Sequence, residues 1–404
     1  MSYKKIKNMT AAILLGCAVL SQSCTSWLDI TPEAQVNDKK IFSTPQGFKD
    51  VLNGIYITVS GEKLYANNLL FGFTDVLAQY YAIPDETHEF AQLAKYQYKD
   101  VNISPKIDEM WLELYFCIAN CNILLERLEE VGPDFFEDER TYYILHGEAR
   151  ALRAFFHFDL LRLFAPYDFS SEAKPAIPYV KEARPAIAPQ LTPAKFVEYA
   201  LEDVNAAIAL LKEDPILTGK DITGMDNGYL ANRNFHLNYY AVLGLKARIC
   251  LYAKNVTLAY SAANEVILAQ QQKGLFPWVK TADITTTEAN LRDRTFSSEH
   301  LFAFNTTKLE EYIKGYFREA SIPLMERLMP GELYEADDYR TALYETYSGF
   351  ANVLTKFWQM DKAYVQGQGY VTPKRNRMPG IRIAEMYYIA AEALKESSIE
   401  DALE

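Results

Sequence analysis

A chain of 404 residues, 49% apolar and 23% charged, has the composition of a folded globular protein with ample material for a core. Its formal net charge of −12 argues against nucleic-acid binding, which needs a basic stripe to neutralise phosphates, and against electrostatic adsorption to anionic lipid. The five cysteines form no CxxC pair and no cysteine–histidine cluster with zinc spacing, so no disulfide framework, metal site or cofactor is expected.

Residues 1–23 read as a lipoprotein signal peptide. Lys4, Lys5 and Lys7 supply a positive start, and Met9 to Leu20 an apolar run too short to span a bilayer. Leu20-Ser21-Gln22-Ser23-Cys24 then fits a bacterial lipoprotein cleavage site, although Gln22 stands where a small residue is usual. Cys24 would become the acylated first residue and anchor the chain without spanning the membrane. Residues 24–40 read as a tether, and residues 41–404 as one domain.

Thr44-Pro45 opens a helix to about Ser60, with Phe48, Leu52, Ile55 and Tyr56 as its stripe. Residues 64–104 are aromatic and lack a period, which suits either a covering loop or a ligand platform. Residues 107–166 carry two long helices. Trp111, Leu114, Tyr115, Ile118, Cys121, Asn122, Leu125 and Leu128 share a face of the first. Tyr142, Leu145, Ala149, Leu152, Phe156, Leu160 and Leu163 share a face of the second. Ala154, Phe158 and Pro166 are spaced as the A-x3-F…P half of a tetratricopeptide unit. Four prolines between 175 and 189 then forbid a helix and predict an extended crossover.

Thr192-Pro193 starts the next helix, and residues 238–252 and 257–272 predict two more. From 274 to 380 the pattern is one of short strands and loops, except for a helical period near Tyr312 to Met329. Residues 364–373 read as a turn-rich loop. Ile381 to Glu396 is a strong helix, and a further one opens at Ile399, so the last pair is expected to be incomplete. The predicted class is mainly α: a tetratricopeptide-like scaffold of helical pairs (107–166, 193–272, 381–404). An irregular loop and short-strand subdomain (64–104 and 274–380) faces the ligand. Arg150, Arg153, Glu148, Glu385 and Glu392 read as scaffold or surface charges, and Trp358 as core.

Several stretches carry a family resemblance. Trp27-Leu28-Asp29 and Pro32 follow Cys24, and Trp111, Tyr115 and Asn120-Cys121-Asn122 precede GEARALRAFF at 147–156 and Asp159-Leu160. Ala247-Arg248, Leu251-Tyr252, IRIAEM at 381–386 and Ala391-Glu392-Ala393 complete the set. Together they resemble the SusD/RagB family of nutrient-uptake outer-membrane lipoproteins. The resemblance implies attachment through Cys24 at the surface of a Bacteroidota-type cell. It implies a SusC-like TonB-dependent transporter as partner, with this protein as its lid, an oligosaccharide or peptide ligand, and no catalysis. Relatives normally continue well beyond a segment like 381–396. A tetratricopeptide-type surface adaptor and a secreted hydrolase are the alternatives. The second has only unpositioned carboxylates in its favour.

A sugar is held by stacking on an aromatic face and by hydrogen bonds to its hydroxyls. The binding candidates are therefore Tyr80, Tyr81, Tyr96, Tyr98, Trp278, Tyr364 and Tyr370, with Asn67, Asn68 and Asp75 as polar companions.

Overall fold

The computed structural model describes residues 40–404 except 84, 185–186, 219–227, 288–290, 319–322, 329, 348–350, 359–362, 366, 368, 372–375, 396–401 and 403–404. Cys24, the signal segment and most of the tether lie outside the described residues, as do the opening turns predicted from Ile399. The chain divides into two compact units, Met1–Gly47 and Phe48–Glu404. In the first, the Thr44 hydroxyl accepts the Gly47 N–H at 3.3 Å and caps the start of helix α1 (Pro45–Val59).

The second unit carries the remaining long helices: α2 (Ser104–Val131), α3 (Glu139–Phe164), α4 (Pro193–Leu210), α5 (Tyr239–Tyr252), α6 (Val256–Lys273) and α7 (Ile383–Leu394). Neighbour packs on neighbour: α2 on α3, α3 on α4, α5 on α6, and α6 on α7. This is the stacking of a tetratricopeptide-type array, in which each helix buries its stripe against the next. On α2, Leu114, Ile118, Cys121, Asn122, Leu125 and Leu128 are buried as the stripe requires, while Trp111 and Tyr115 are half-buried at its edge.

Helix α3 is central. Asp138 caps its start by accepting the Arg140 N–H at 3.0 Å. Ala165, which precedes Pro166, is already extended, as a residue before proline prefers. Buried residues run almost all the way round the helix, because it has α2 on one side and α4 on another. Gly147 permits that approach: a Cβ there would lie 2.7 Å from Leu211 Cγ.

The irregular segments form paired short strands. β1 (Tyr81–Ala82) pairs antiparallel with β5 (Met325–Glu326), which ties the segment before α2 to the one before α7. β2 (Ile177–Pro178) pairs with β3 (Gln190–Leu191) within the proline-rich crossover. β4 (His300–Asn305) pairs with β10 (Arg377–Arg382), where the register shifts around Gly380. A Cβ at Gly380 would meet the Phe302 ring at 2.6 Å.

Two expectations are corrected here. Among the described residues near 312–329 there is a short helix, Leu309–Ile313, and a π-helical turn, Lys314–Arg318, and no long helix. Pro323 cannot continue a helix, and the chain then extends into β5. Residues 364–373 include a hairpin, β8 (Ala363–Val365) with β9 (Gly369–Val371), turning at Gly367 with φ +85°. Strands β6 (Tyr344–Tyr347) and β7 (Ala351–Leu354) form another antiparallel pair.

Candidate functional site

The tempting charges of α3 belong to the scaffold. Glu148 is fully buried, with Arg233 Nη1 2.5 Å from Oε1. Its Oε2 accepts from Tyr56 at 2.9 Å and Tyr229 at 2.7 Å, and lies 3.0 Å from His236 Nδ1. Burial would raise this carboxyl, but Arg233, His236 and Tyr229 more than offset it and hold it at about 2. Arg153 donates to Asp203 of α4 through Nε at 2.8 Å and Nη2 at 2.6 Å, and to Asn122 of α2 at 2.8 Å. Tyr179 of the crossover donates to the same Asp203 at 2.6 Å. One buried cluster thus joins α2, α3, α4 and the crossover, and every strong donor in it has an acceptor. Arg150 reaches Asp203 and Glu129 from its half-buried edge.

The sequence-predicted binding residues divide sharply. Tyr80, Tyr96 and Tyr98 are each about half exposed, and the rings of Tyr96 and Tyr98 lie 6.4 Å apart. Gln79 donates to the Ala94 carbonyl at 3.0 Å, and the Tyr96 hydroxyl to the Leu77 carbonyl at 3.3 Å. These bonds draw the two loops carrying the three rings together. Both Gln79 and Tyr96 have positive φ, 61° and 58°, which is uncommon for side chains of their size. Such backbone clusters at binding sites, where the surrounding contacts hold it in place.

Tyr81, Asn67 and Asn68 are buried and hydrogen-bonded within the protein. Tyr81 points inward from β1, is buried, and donates to Asp75 at 3.1 Å. Asn67 donates to the Tyr316 hydroxyl at 2.8 Å, tying segment 61–72 to the turn at 314–318, and Asn68 donates to the Lys63 carbonyl at 3.1 Å within the segment. Trp278 is half exposed but stands over Tyr387 of α7, with ring centroids 5.2 Å apart, in a different neighbourhood from Tyr80. The side chains of Tyr364 and Tyr370 lie outside the described residues. Trp358, expected in the core, is half-buried with the Arg294 guanidinium over its ring.

Asp75 opens onto a cleft of about 320 Å³ between residues 69–75, the end of β10 and the first turns of α7. Its polar and aromatic lining includes Asp75, Lys356, Arg382, Glu385 and Tyr388. An adjoining hollow of about 280 Å³ shares Leu69, Leu70, Gly380 and Glu385, and adds Asp159, Arg162 and Arg248. Asp159 accepts from Tyr65 and Arg162, and Glu385 takes two bonds from Arg248, so these carboxylates are already satisfied. Tyr388 is 71% exposed.

The cleft is electrostatically unusual. Burial raises Asp75 to about 6, against the opposing Tyr81 bond and Lys356. Burial, helped by Asp75, raises Glu326 of β5 to about 7. Burial, helped by Arg382, lowers Lys356 to about 8, against Asp75 and Glu326. Of this group only Asp75 was legible as a candidate. Lys356, Arg382 and Tyr388 sit in stretches whose patterns read as strand and helix, and only tertiary packing brings them to Asp75. The adjacent tyrosines 387 and 388 were the one available signal, since a single helical stripe cannot bury both.

A SusD-like family model, described as starch-binding associating with outer membrane, matches residues 26–219. SusD-like protein P38 of Formosa agariphila is 24% identical over 273 residues, which are 66% of this chain and 47% of that protein. The match therefore spans about half the length of that curated relative. Over residues 26–219 the chain is similar to the SusD-like family. The solved structure of a SusD superfamily protein from Bacteroides thetaiotaomicron superposes with a TM-score of 0.67 at 23% identity, covering 89% of this chain and 78% of that one. A SusD-like carbohydrate binding protein from Bacteroides vulgatus gives a TM-score of 0.60 at 16% identity, covering 89% and 73%. At these identities the structures establish the shared fold of helical pairs with an irregular subdomain.

Proposed function

We propose that this SusD-like protein binds oligosaccharide on the irregular face that carries Tyr80, Tyr96 and Tyr98 and the cleft beside Asp75. The observation that carries the reading is the exposed tyrosine group, held on two loops that hydrogen-bond to each other around strained backbone. Rings of this kind stack on the apolar faces of sugars, and a neighbouring polar cleft supplies hydrogen bonds to hydroxyls. The family description names starch binding, and one structural relative is named a carbohydrate binding protein, which supports the same ligand class. The protein captures and delivers; no catalytic step is assigned to it.

Its place is the outer membrane, in keeping with the family description. Among the described residues no helix is long and apolar enough to cross a membrane, and the anchor in this reading is the acyl group on Cys24. The partner is a SusC-like TonB-dependent transporter, which receives the ligand.

The test is calorimetric titration of the purified protein with a panel of oligosaccharides and peptides. Saturable oligosaccharide binding, weakened at least tenfold in a Tyr96→Ala/Tyr98→Ala variant of unchanged fold, is the expected result. Absence of oligosaccharide binding across the panel overturns the reading. A Cys24→Ala variant is expected to leave the membrane fraction, and retention there refutes the anchor. Co-purification of a β-barrel transporter from solubilised membranes tests the partner.

A further inference from the structure

The charges of the cleft carry more than a generic sugar site. Lys356 and Arg382 both line it, close enough for the guanidinium to disfavour the charge on Lys356. Among the described residues Lys356 makes no hydrogen bond and no ion pair; its ammonium has the Phe357 ring at 5.0 Å. Arg382 has one long contact, 3.7 Å to Glu299, and otherwise stacks on Phe296. The carboxylates nearby do not complete the pairing. Glu385 is engaged by Arg248 through two bonds of 2.6 Å. Asp75 accepts the Tyr81 hydroxyl, and Glu326 sits opposite Tyr81 across the β1–β5 pair. Both are carboxyls that burial drives toward the neutral form.

Two neighbouring cations in a partly desolvated hollow are costly unless an anion completes them. They stand beside an exposed ring, Tyr388. Among the described residues the fully buried Glu148 is paired with Arg233, and the buried Arg153 with Asp203. Lys356 and Arg382, by contrast, line a cleft that a ligand could reach.

We infer that Lys356 and Arg382 form an anion-recognising subsite, so that the preferred ligand is an acidic oligosaccharide whose carboxylate or sulfate group enters this cleft while a sugar ring stacks on Tyr388. This rests on the oligosaccharide reading above and narrows it. A carboxylate and a sulfate ester offer the same chemistry, a charged oxygen acceptor for an ammonium and a guanidinium, so the subsite is defined by the anion.

The experiment is titration of the full chain with three probes of matched length: a uronate oligosaccharide, a sulfated neutral-sugar oligosaccharide and an uncharged oligosaccharide. It compares wild type with Lys356→Gln, Lys356→Arg and Arg382→Gln, each checked for fold by circular dichroism and melting. The expected result is binding of at least one charged probe and roughly tenfold or greater weakening in Lys356→Gln and Arg382→Gln. Lys356→Arg, which keeps the charge, retains most of the affinity. The stronger of the two charged probes identifies the anion. If the uncharged probe binds as tightly as the charged ones, or the charged probes ignore both charge removals, the acidic-ligand inference is overturned while the oligosaccharide reading stands. If no probe binds, both fall. Should Lys356→Gln fail to fold, Arg382→Gln alone decides between these outcomes.

Discussion

Arg248 of α5 holds Glu385 of α7 through two parallel hydrogen bonds, Nε to Oε1 and Nη2 to Oε2, each 2.6 Å, and its Nη2 also reaches the Gly380 carbonyl at 3.0 Å. This fork is the geometry that only arginine provides. It ties the last helix to the scaffold, and it floors the hollow beside the cleft. The pair is partly exposed, with 18% and 31% of the two side chains accessible, so its worth lies between a surface pair and a buried one. Glu385→Ala leaves the guanidinium without its carboxylate and is expected to cost about 1–3 kcal/mol. Arg248→Lys should recover little of it. The check is a double-mutant cycle on chemical unfolding, in which additive single effects would refute the coupling.

Asp203 is the common acceptor of Arg153 and Tyr179, at 2.6 Å each, and is almost inaccessible. Asp203→Ala strands a buried guanidinium and is expected to cost about 3–5 kcal/mol, more than the fork at Glu385. It should also loosen the crossover, because Tyr179 loses its anchor there. Hydrogen exchange at residues 177–180 reads that loosening directly, and unchanged protection would count against the linkage.

Gly147 tests how closely α3 and α4 approach. Replacing glycine by alanine inside a helix gains about 1 kcal/mol of propensity. The added Cβ, however, would sit 2.7 Å from Leu211 Cγ and 3.3 Å from the Ala207 carbonyl oxygen. Overpacking of that kind costs about 1–3 kcal/mol, so Gly147→Ala is expected to be net destabilising. Leu211 can yield but the Ala207 backbone cannot. The double variant with Leu211→Ala should therefore recover part of the loss that Gly147→Ala causes in the Leu211 background. A stabilised Gly147→Ala would mean that α4 gives way freely.

These three sites show what the sequence made legible. The helices were readable because their apolar residues recur at three and four, and their ends carry Thr-Pro, Asp or a following proline. Arg153 and Glu148 read as structural charges because they sit on a packed helix, where a buried or half-buried ion pair is the expected arrangement. The irregular segments were harder. Nothing local announces that Tyr81 pairs with Glu326, since the partners are far apart in sequence and each strand is two residues long. Without that pairing, Tyr80 and Tyr81 look alike. Lys356 and Arg382 meet Asp75 only through folding of the segments that have no period, so charge type alone could not single them out.

Acid should destabilise the protein in a defined order. His157 is buried, and its Nε2 accepts the Val180 N–H at 2.9 Å, so its other nitrogen, 2.8 Å from the Arg153 carbonyl, carries the only proton. Burial lowers it to about 3, and lowers His146 and His300 to about 4. Below about 6.5 the unfolded chain takes up protons that these three refuse, so stability falls as pH drops from 6.5 toward 4, each pKa unit of difference being worth ~1.4 kcal/mol. Asp75 and Glu326 act the other way: raised in the fold, they bind protons first and relieve the folded state as pH falls below 7. Below about 4.5 Glu148, held at about 2, adds its loss. The melting temperature should therefore decline from pH 6.5 to 4 and then steepen. His157→Gln should be less stable at neutral pH yet show a shallower decline, and an unchanged slope would exclude His157 as a contributor.

Tyr80 and Tyr81 separate binding from folding most economically. They are consecutive residues entering β1, so their side chains leave opposite faces of the strand. Tyr80 is 56% exposed beside Tyr96 and Tyr98, whereas Tyr81 is 5% exposed, packs on Phe317 at 5.7 Å and donates to Asp75. Tyr80→Ala removes a stacking face and little packing, so oligosaccharide affinity should fall several-fold while the unfolding midpoint stays within about 0.5 kcal/mol of wild type. Tyr81→Ala empties a buried aromatic site and should cost about 3–5 kcal/mol. Tyr81→Phe keeps the ring and deletes only the bond to Asp75, at about 1 kcal/mol, and its binding should be close to normal. Parallel calorimetry and denaturant unfolding of the three variants check this. Loss of binding in Tyr81→Phe with Tyr80→Ala unaffected would move the site from the exposed face to the cleft alone.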